Sequence, residues 1–131
     1  MTFGQPERTV IGPLEGGDSI VFGTPTGVVE GERLKGRVQA VNHGRFRADG
    51  VNLPDTRGVI TTSGGAHAYF ELRGYAIPEP GGSPIAVTAS IVFRTDDDEL
   101  RWLNRVFCLA EAVFESSERV TYRVYECVAE P

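Results

Sequence analysis

Lysine is almost missing from this 131-residue chain: of thirteen basic residues, twelve are arginine and Lys35 stands alone. Schiff-base catalysis therefore has almost no candidate nucleophile. Histidine is nearly as scarce, at His43 and His67, so a three-histidine metal site is excluded. The two cysteines, Cys108 and Cys127, form no CxxC and no His/Cys cluster at zinc spacing, and no metal site is expected. Both are expected to be free thiols. GxSxG, Walker A, GxGxxG after a strand and HExxH are all missing, which leaves covalent serine hydrolases, P-loop NTPases, Rossmann redox enzymes and zincins without support. No run of about 18 apolar residues exists, so no membrane span is expected. The net charge of -5 does not favour nucleic acid or anionic membrane as a partner. The opening MTFGQPERTV lacks the apolar stretch of a secretory signal, and a cytoplasmic location is the expectation.

Hydrophobic residues make up 40% of the chain, enough for a core in one domain spanning residues 1–131. Sixteen glycines and eight prolines are spread throughout, which predicts short strands joined by turns, with little helix. The segment RGVITTSGGAHAYFELRG reads as a hairpin with Gly64-Gly65 as its loop, placing Thr62 opposite His67 and Ile60 opposite Tyr69. Its second strand would carry Ala66, Ala68, Phe70 and Leu72 on one face and His67, Tyr69, Glu71 and Arg73 on the other. RVTYRVYECVA reads as a strand with Val120, Tyr122, Val124 and Val128 on one face. A Ser117–Glu118 turn before it would set Cys108 opposite Cys127. SPIAVTASIVFRT and GERLKGRVQAVN are further strands, with weaker signals at RTVIG and DSIVFG, and IPEPGGSP is a loop. DDDELRWLNRVFCLAEAVF fits a helix by the spacing of Leu100, Leu103, Phe107, Ala110 and Phe114, and a strand by Phe107, Leu109 and Val113.

Four features occur in order: GERLKGRV with Gly31, Leu34, Gly36 and Val38; Asp49-Gly50; Trp102-Leu103-Asn104; and Arg123-Val124-Tyr125-Glu126. Together they resemble domain-of-unknown-function family 3237, over nearly the whole chain. The resemblance implies an all-β fold, a single small antiparallel β-barrel with a central cavity. It also implies strand rather than helix after Asn104. It supplies no catalytic residues.

Inside such a barrel, chemistry would be cofactor-free acid–base work on a small, partly apolar carbonyl or carboxylate compound, of lyase, isomerase or cyclase type. His43, Asp49 or Glu71 would be the base, and Tyr69 or Arg57 the oxyanion partner. Trp102, Asn104 and Arg123 would contact substrate. Residues 43–57, within NHGRFRADGVNLPDTRG, would form one lip of the cavity, with Trp102 and Asn104 in its floor. Each residue also has a structural role open to it: wet surface for the His67–Arg73 face, loop clamp for Arg57, core plug for Trp102, backbone partner for Asn104. A non-catalytic binding or carrier barrel is the alternative, and a filled structural domain the third. The barrel enzyme requires a carboxylate or histidine in the cavity, and the carrier requires apolar walls with one or two polar anchors. The expected partner is a small molecule, with a homo-oligomer left open.

Overall fold

Alternation of large apolar with polar residues, one position apart, builds nearly every element of this chain. The computed structural model describes residues 1–4, 8–114 and 118–129. Twelve strands run in chain order: β1 (Thr2–Gly4), β2 (Arg8–Ile11), β3 (Ser19–Gly23), β4 (Thr26–Glu30), β5 (Lys35–Phe46), β6 (Asn52–Leu53), β7 (Asp55–Thr61), β8 (His67–Pro78), β9 (Ile85–Arg94), β10 (Phe107–Phe114), β11 (Arg119–Thr121) and β12 (Arg123–Cys127). Among the described residues one 3-10 helix, Asp98–Arg105, lies between β9 and β10. The fold is all-β, and every strand pairing is antiparallel.

The sheet path runs β11-β1-β4-β5-β6-β8-β9-β10-β12, with β7 between β5 and β8 and the β2–β3 hairpin on the second half of β5. Its two ends meet in one short stretch. Arg119–Thr121 pairs with β1 and Arg123–Cys127 pairs with β10, so the backbone changes partner at Tyr122. The Tyr122 N–H donates to the Met1 carbonyl at 2.7 Å, and the Met1 α-amino group donates to the Tyr122 carbonyl at 3.1 Å.

The inner face collects Val38 and Ala40 from β5, Ile60 from β7, and Ala68, Phe70, Leu72 and Ala76 from β8. Val87, Ala89 and Ile91 from β9 and Cys108, Ala110 and Ala112 from β10 complete it. Phe70, Ile60, Leu72 and Ile91 are fully buried in its middle, each contributing about 1.5–3 kcal/mol of transfer free energy. His67, Tyr69 and Arg73 on the opposite face of β8 are exposed, so the polar row expected there is the outer surface.

Two registers shift by one residue from the sequence expectation. Thr61 faces His67 and Ile60 faces Ala68, because the hairpin closes through three residues, not two. The Gly65 N–H bonds to Thr62, and Gly65 supplies the positive φ of 85° that a glycine accepts without steric cost. Similarly, Cys108 faces Glu126 and Cys127 faces Phe107, which leaves Cys108 buried and Cys127 exposed, both as free thiols. The expected Ser117–Glu118 turn falls partly outside the described residues. The ambiguous segment is both things in succession. Asp97 caps the helix by accepting from the Glu99 and Leu100 N–H groups, Leu100 and Leu103 fill the core, and Val106 returns the chain to extended backbone before β10. The helical spacing from Phe107 onward is overridden by pairing with β9 and β12, and Phe107 points outward.

Candidate functional site

A cavity of about 380 Å³ occupies one end of the interior. Apolar walls come from Phe3, Val21, Leu72, Val87, Phe114 and Val120. The polar groups are Asn42, Asn52, Thr56 and Tyr122, with the exposed Arg8 at the rim, its guanidinium 5.8 Å from the Phe46 ring centroid. Among the described residues lining it, none is a histidine or a carboxylate.

The local backbone explains why asparagine enters an otherwise apolar row. On β5, Val38, Ala40 and Asn42 succeed one another on the inner face. Opposite them the ladder breaks between β6 and β7, at Pro54. Asn42 Oδ1 bridges this break, accepting from the Asp55 N–H at 3.1 Å and from the Thr56 hydroxyl at 3.2 Å. A backbone N–H can only donate, so the amide orientation is fixed, and Nδ2 has no partner among the described residues. Asn52 sits on two-residue β6, opposite Phe46 and Ala76, and its buried Oδ1 has no hydrogen-bond partner. Tyr122 stands where the sheet's ends meet, its ring edge-on to Phe3 at 5.9 Å. Burial pushes its phenol up to about 12, so it remains a protonated donor throughout the physiological range.

The lip expected from residues 43–57 is there in part: Phe46, Gly50, Asn52, Pro54 and Thr56 line the cavity, with Asn42 just outside that stretch. The charged residues of that stretch turn away. His43 is on a strand rather than a loop, exposed, with its ring edge-on to Phe22 at 5.4 Å. Asp49 lies in the turn that Gly50 closes with a φ of 90°, paired with Arg47, whose hydrogen bond holds its carboxyl below the usual range. Arg57 Nε meets Asp55 Oδ1 at 3.4 Å, and Arg73 Nε meets the same oxygen at 3.2 Å. Tyr69 donates to Glu71 Oε1 at 2.9 Å, and Arg73 closes this outer network at 3.8 Å from Glu71. Arg123 pairs with Glu111 at 3.5 Å on the outside of β10 and β12. None of His43, Asp49, Arg57, Tyr69, Glu71 and Arg123 lines the cavity.

The expected floor is also elsewhere. Trp102 lines a second space, of about 230 Å³, with Leu34, Phe93, Leu103, Cys108 and Val124. The guanidinium of Arg33 covers its ring at 3.7 Å. The two spaces share no residue: Ile85 and Val87 of β9 line the first, and Phe93 at the other end of β9 lines the second. Asn104 is helical, not extended, and does not share the Trp102 face. Its Oδ1 accepts from the Thr95 N–H at 2.8 Å and its Nδ2 donates to the Thr95 carbonyl at 2.9 Å, clamping the turn after β9. Sequence reasoning missed Asn42, Asn52, Thr56, Tyr122 and Arg8. The signal for two of them was present: Asn42 continues the Val38–Ala40 row, and Tyr122 continues that of Val120 and Val124.

An all-β chain wrapped on one core, with a polar-studded cavity at one end whose described lining residues carry no charge apart from the rim arginine, defines a class of small proteins built around an interior space. The chain belongs to the family of proteins of unknown function DUF3237, whose profile spans residues 1–127. It is similar to a β-barrel-like protein from Acinetobacter baumannii, 19% identical, with a TM-score of 0.81 over 96% of this chain and 92% of that one. It is also similar to a protein of unknown function from Clostridium acetobutylicum, 20% identical, with a TM-score of 0.82 over 97% and 94%. A protein from Penicillium herquei described as an enzyme matches at 17% identity and a TM-score of 0.69, over 95% of this chain and 89% of that one. These likenesses establish the fold alone. No curated protein matches the chain. Among the described residues no helix is long and apolar enough to cross a membrane.

Proposed function

We propose that the sheet closes into a small barrel through the shared 119–127 stretch, and that its 380 Å³ cavity binds one small, partly apolar carbonyl or carboxylate compound. One observation carries this reading: apolar walls surround an amide donor at Asn42 and a protonated hydroxyl at Tyr122, neither of which has a partner among the described residues. Donors left unpaired in a largely apolar space favour an oxygen acceptor. Arg8 at the rim suits the charged end of a carboxylate. The test is a side-chain amide NMR titration with acetophenone and benzoate. The Asn42 and Asn52 signals should shift saturably, and Val120→Trp, which fills the cavity, should abolish the effect. Failure of either amide to move with either probe overturns the reading.

Catalysis is the second reading, favoured by Tyr122. A phenol that keeps its proton to about pH 12 can donate to a carbonyl oxygen as an enolate forms, which is the acid half of lyase, isomerase or cyclase chemistry. The described lining residues offer this acid but no carboxylate or imidazole for the base half, which ranks catalysis below binding. Tyr122→Phe separates the readings: a carrier keeps most of its function, and an enzyme loses turnover while still binding.

A further inference from the structure

The cavity's polar groups do not all ask for the same thing. Asn42 Nδ2 is an obligate donor, because its oxygen is already held by the Asp55 N–H and the Thr56 hydroxyl. The Tyr122 hydroxyl can give or accept. Asn52 Oδ1 is the opposite of Asn42 Nδ2: a buried acceptor that no described residue satisfies. Buried amide oxygens are rarely left bare, because desolvating them without a partner is unfavourable. Its strand neighbours explain the gap, since Phe46 and Ala76, which flank it in the ladder, have no side-chain donor to offer. A compound carrying only carbonyl oxygens would satisfy Asn42 and Tyr122 and still leave Asn52 Oδ1 unpaired.

We infer that the ligand of this cavity bears a hydroxyl group in addition to its carbonyl, and that the Asn52 side chain turns its Oδ1, enclosed in the free protein, onto that hydroxyl. The inference rests on the proposal that the cavity is the ligand site. Four aromatic rings, Phe3, Phe46, Phe114 and Tyr122, line the same space, so a ring-bearing hydroxy-carbonyl compound is the class that fits. Asn52 is then a specificity residue. A site built to bond a hydroxyl discriminates strongly against the analogue lacking it, because its own polar group is stranded.

Four probes of one size class test this: acetophenone and its 2-, 3- and 4-hydroxy derivatives, with Kd measured by NMR titration. The best hydroxy isomer should bind about tenfold or more tightly than acetophenone. Asn52→Leu should erase that difference and raise the Tm of the free protein, since the bare acceptor is gone; Asn52→Ala makes the same binding comparison should the leucine variant not fold. Equal binding of all four probes by the wild type overturns the hydroxyl inference while leaving the cavity a ligand site. A hydroxyl preference that survives in the Asn52 variants overturns the role of Asn52. Absence of binding by every probe overturns the inference together with the site itself.

Discussion

Thr56 and Asn42 face each other at the end of the β5–β7 ladder, beside the break between β6 and β7, with the Thr56 hydroxyl donating to Asn42 Oδ1 at 3.2 Å. Thr56 is the buried polar residue of the core, and Asn42 also takes the Asp55 N–H. Asn42→Ala strands a backbone donor and a buried hydroxyl together. It should destabilise the protein by about 1–3 kcal/mol in urea denaturation, the usual penalty for unpaired buried donors. Thr56→Val removes a donor whose acceptor keeps its second partner, and should cost less. Equal or reversed losses would show that the bridge does not hold the break.

Tyr122 gives the protein an alkaline limit. Its folded value near 12 lies above the ordinary 10, so the unfolded chain ionises first. The stability tied to its burial is intact below pH 10 and is lost as pH rises from about 10 through 12. The total is on the order of 2–3 kcal/mol, from the linkage between the two states. Tm measured from pH 9 to 12 should fall more steeply in the wild type than in Tyr122→Phe. Parallel curves for the two proteins would refute this account of the phenol.

Arg57 belongs to the outer surface, sharing Asp55 with Arg73. Exposed pairs of this kind contribute little. Arg57→Ala should leave both Tm and probe binding at wild-type values. Asp55→Ala, which removes the partner of Arg57 and the nearer of two partners of Arg73, should lower Tm more than Arg57→Ala does. Weakened binding of benzoate by Arg57→Ala would return this residue to the ligand site.

The two thiols should differ in native protein. Cys127 is exposed, whereas Cys108 is buried and its thiol is pushed up by that burial, with Glu126 adding to the effect. A thiol reagent at neutral pH should modify one equivalent quickly and the second only on denaturation. Two equally fast equivalents would place Cys108 at the surface.

The inward row of β8, Ala68, Phe70 and Leu72, and that of β9, Val87, Ala89 and Ile91, were legible from the chain, because strict alternation can bury only one face of a strand. So were the Asp49-Gly50 turn and the return to strand after Asn104 that the family resemblance implied. The partnering of outer charges was not legible: that Asp55 serves Arg57 and Arg73 at once depends on the β7–β8 register, and one added residue in the Ser63–Gly65 turn moved every pair by one. The meeting of the site residues was decided by tertiary structure. Asn42 and Tyr122 carried an inward signal in the Val38–Ala40 and Val120–Val124 rows, whereas Asn52 looks like a turn residue in sequence. They share one space because the partner of β5 changes from β7 to β6 around Pro54 while the C-terminal stretch changes partner at Tyr122, and nothing local in the chain encodes either event. Sequence fixed which residues face inward through a period of two. Long-range strand pairing chose which inward residues share a space, because that depends on contacts between residues some eighty positions apart.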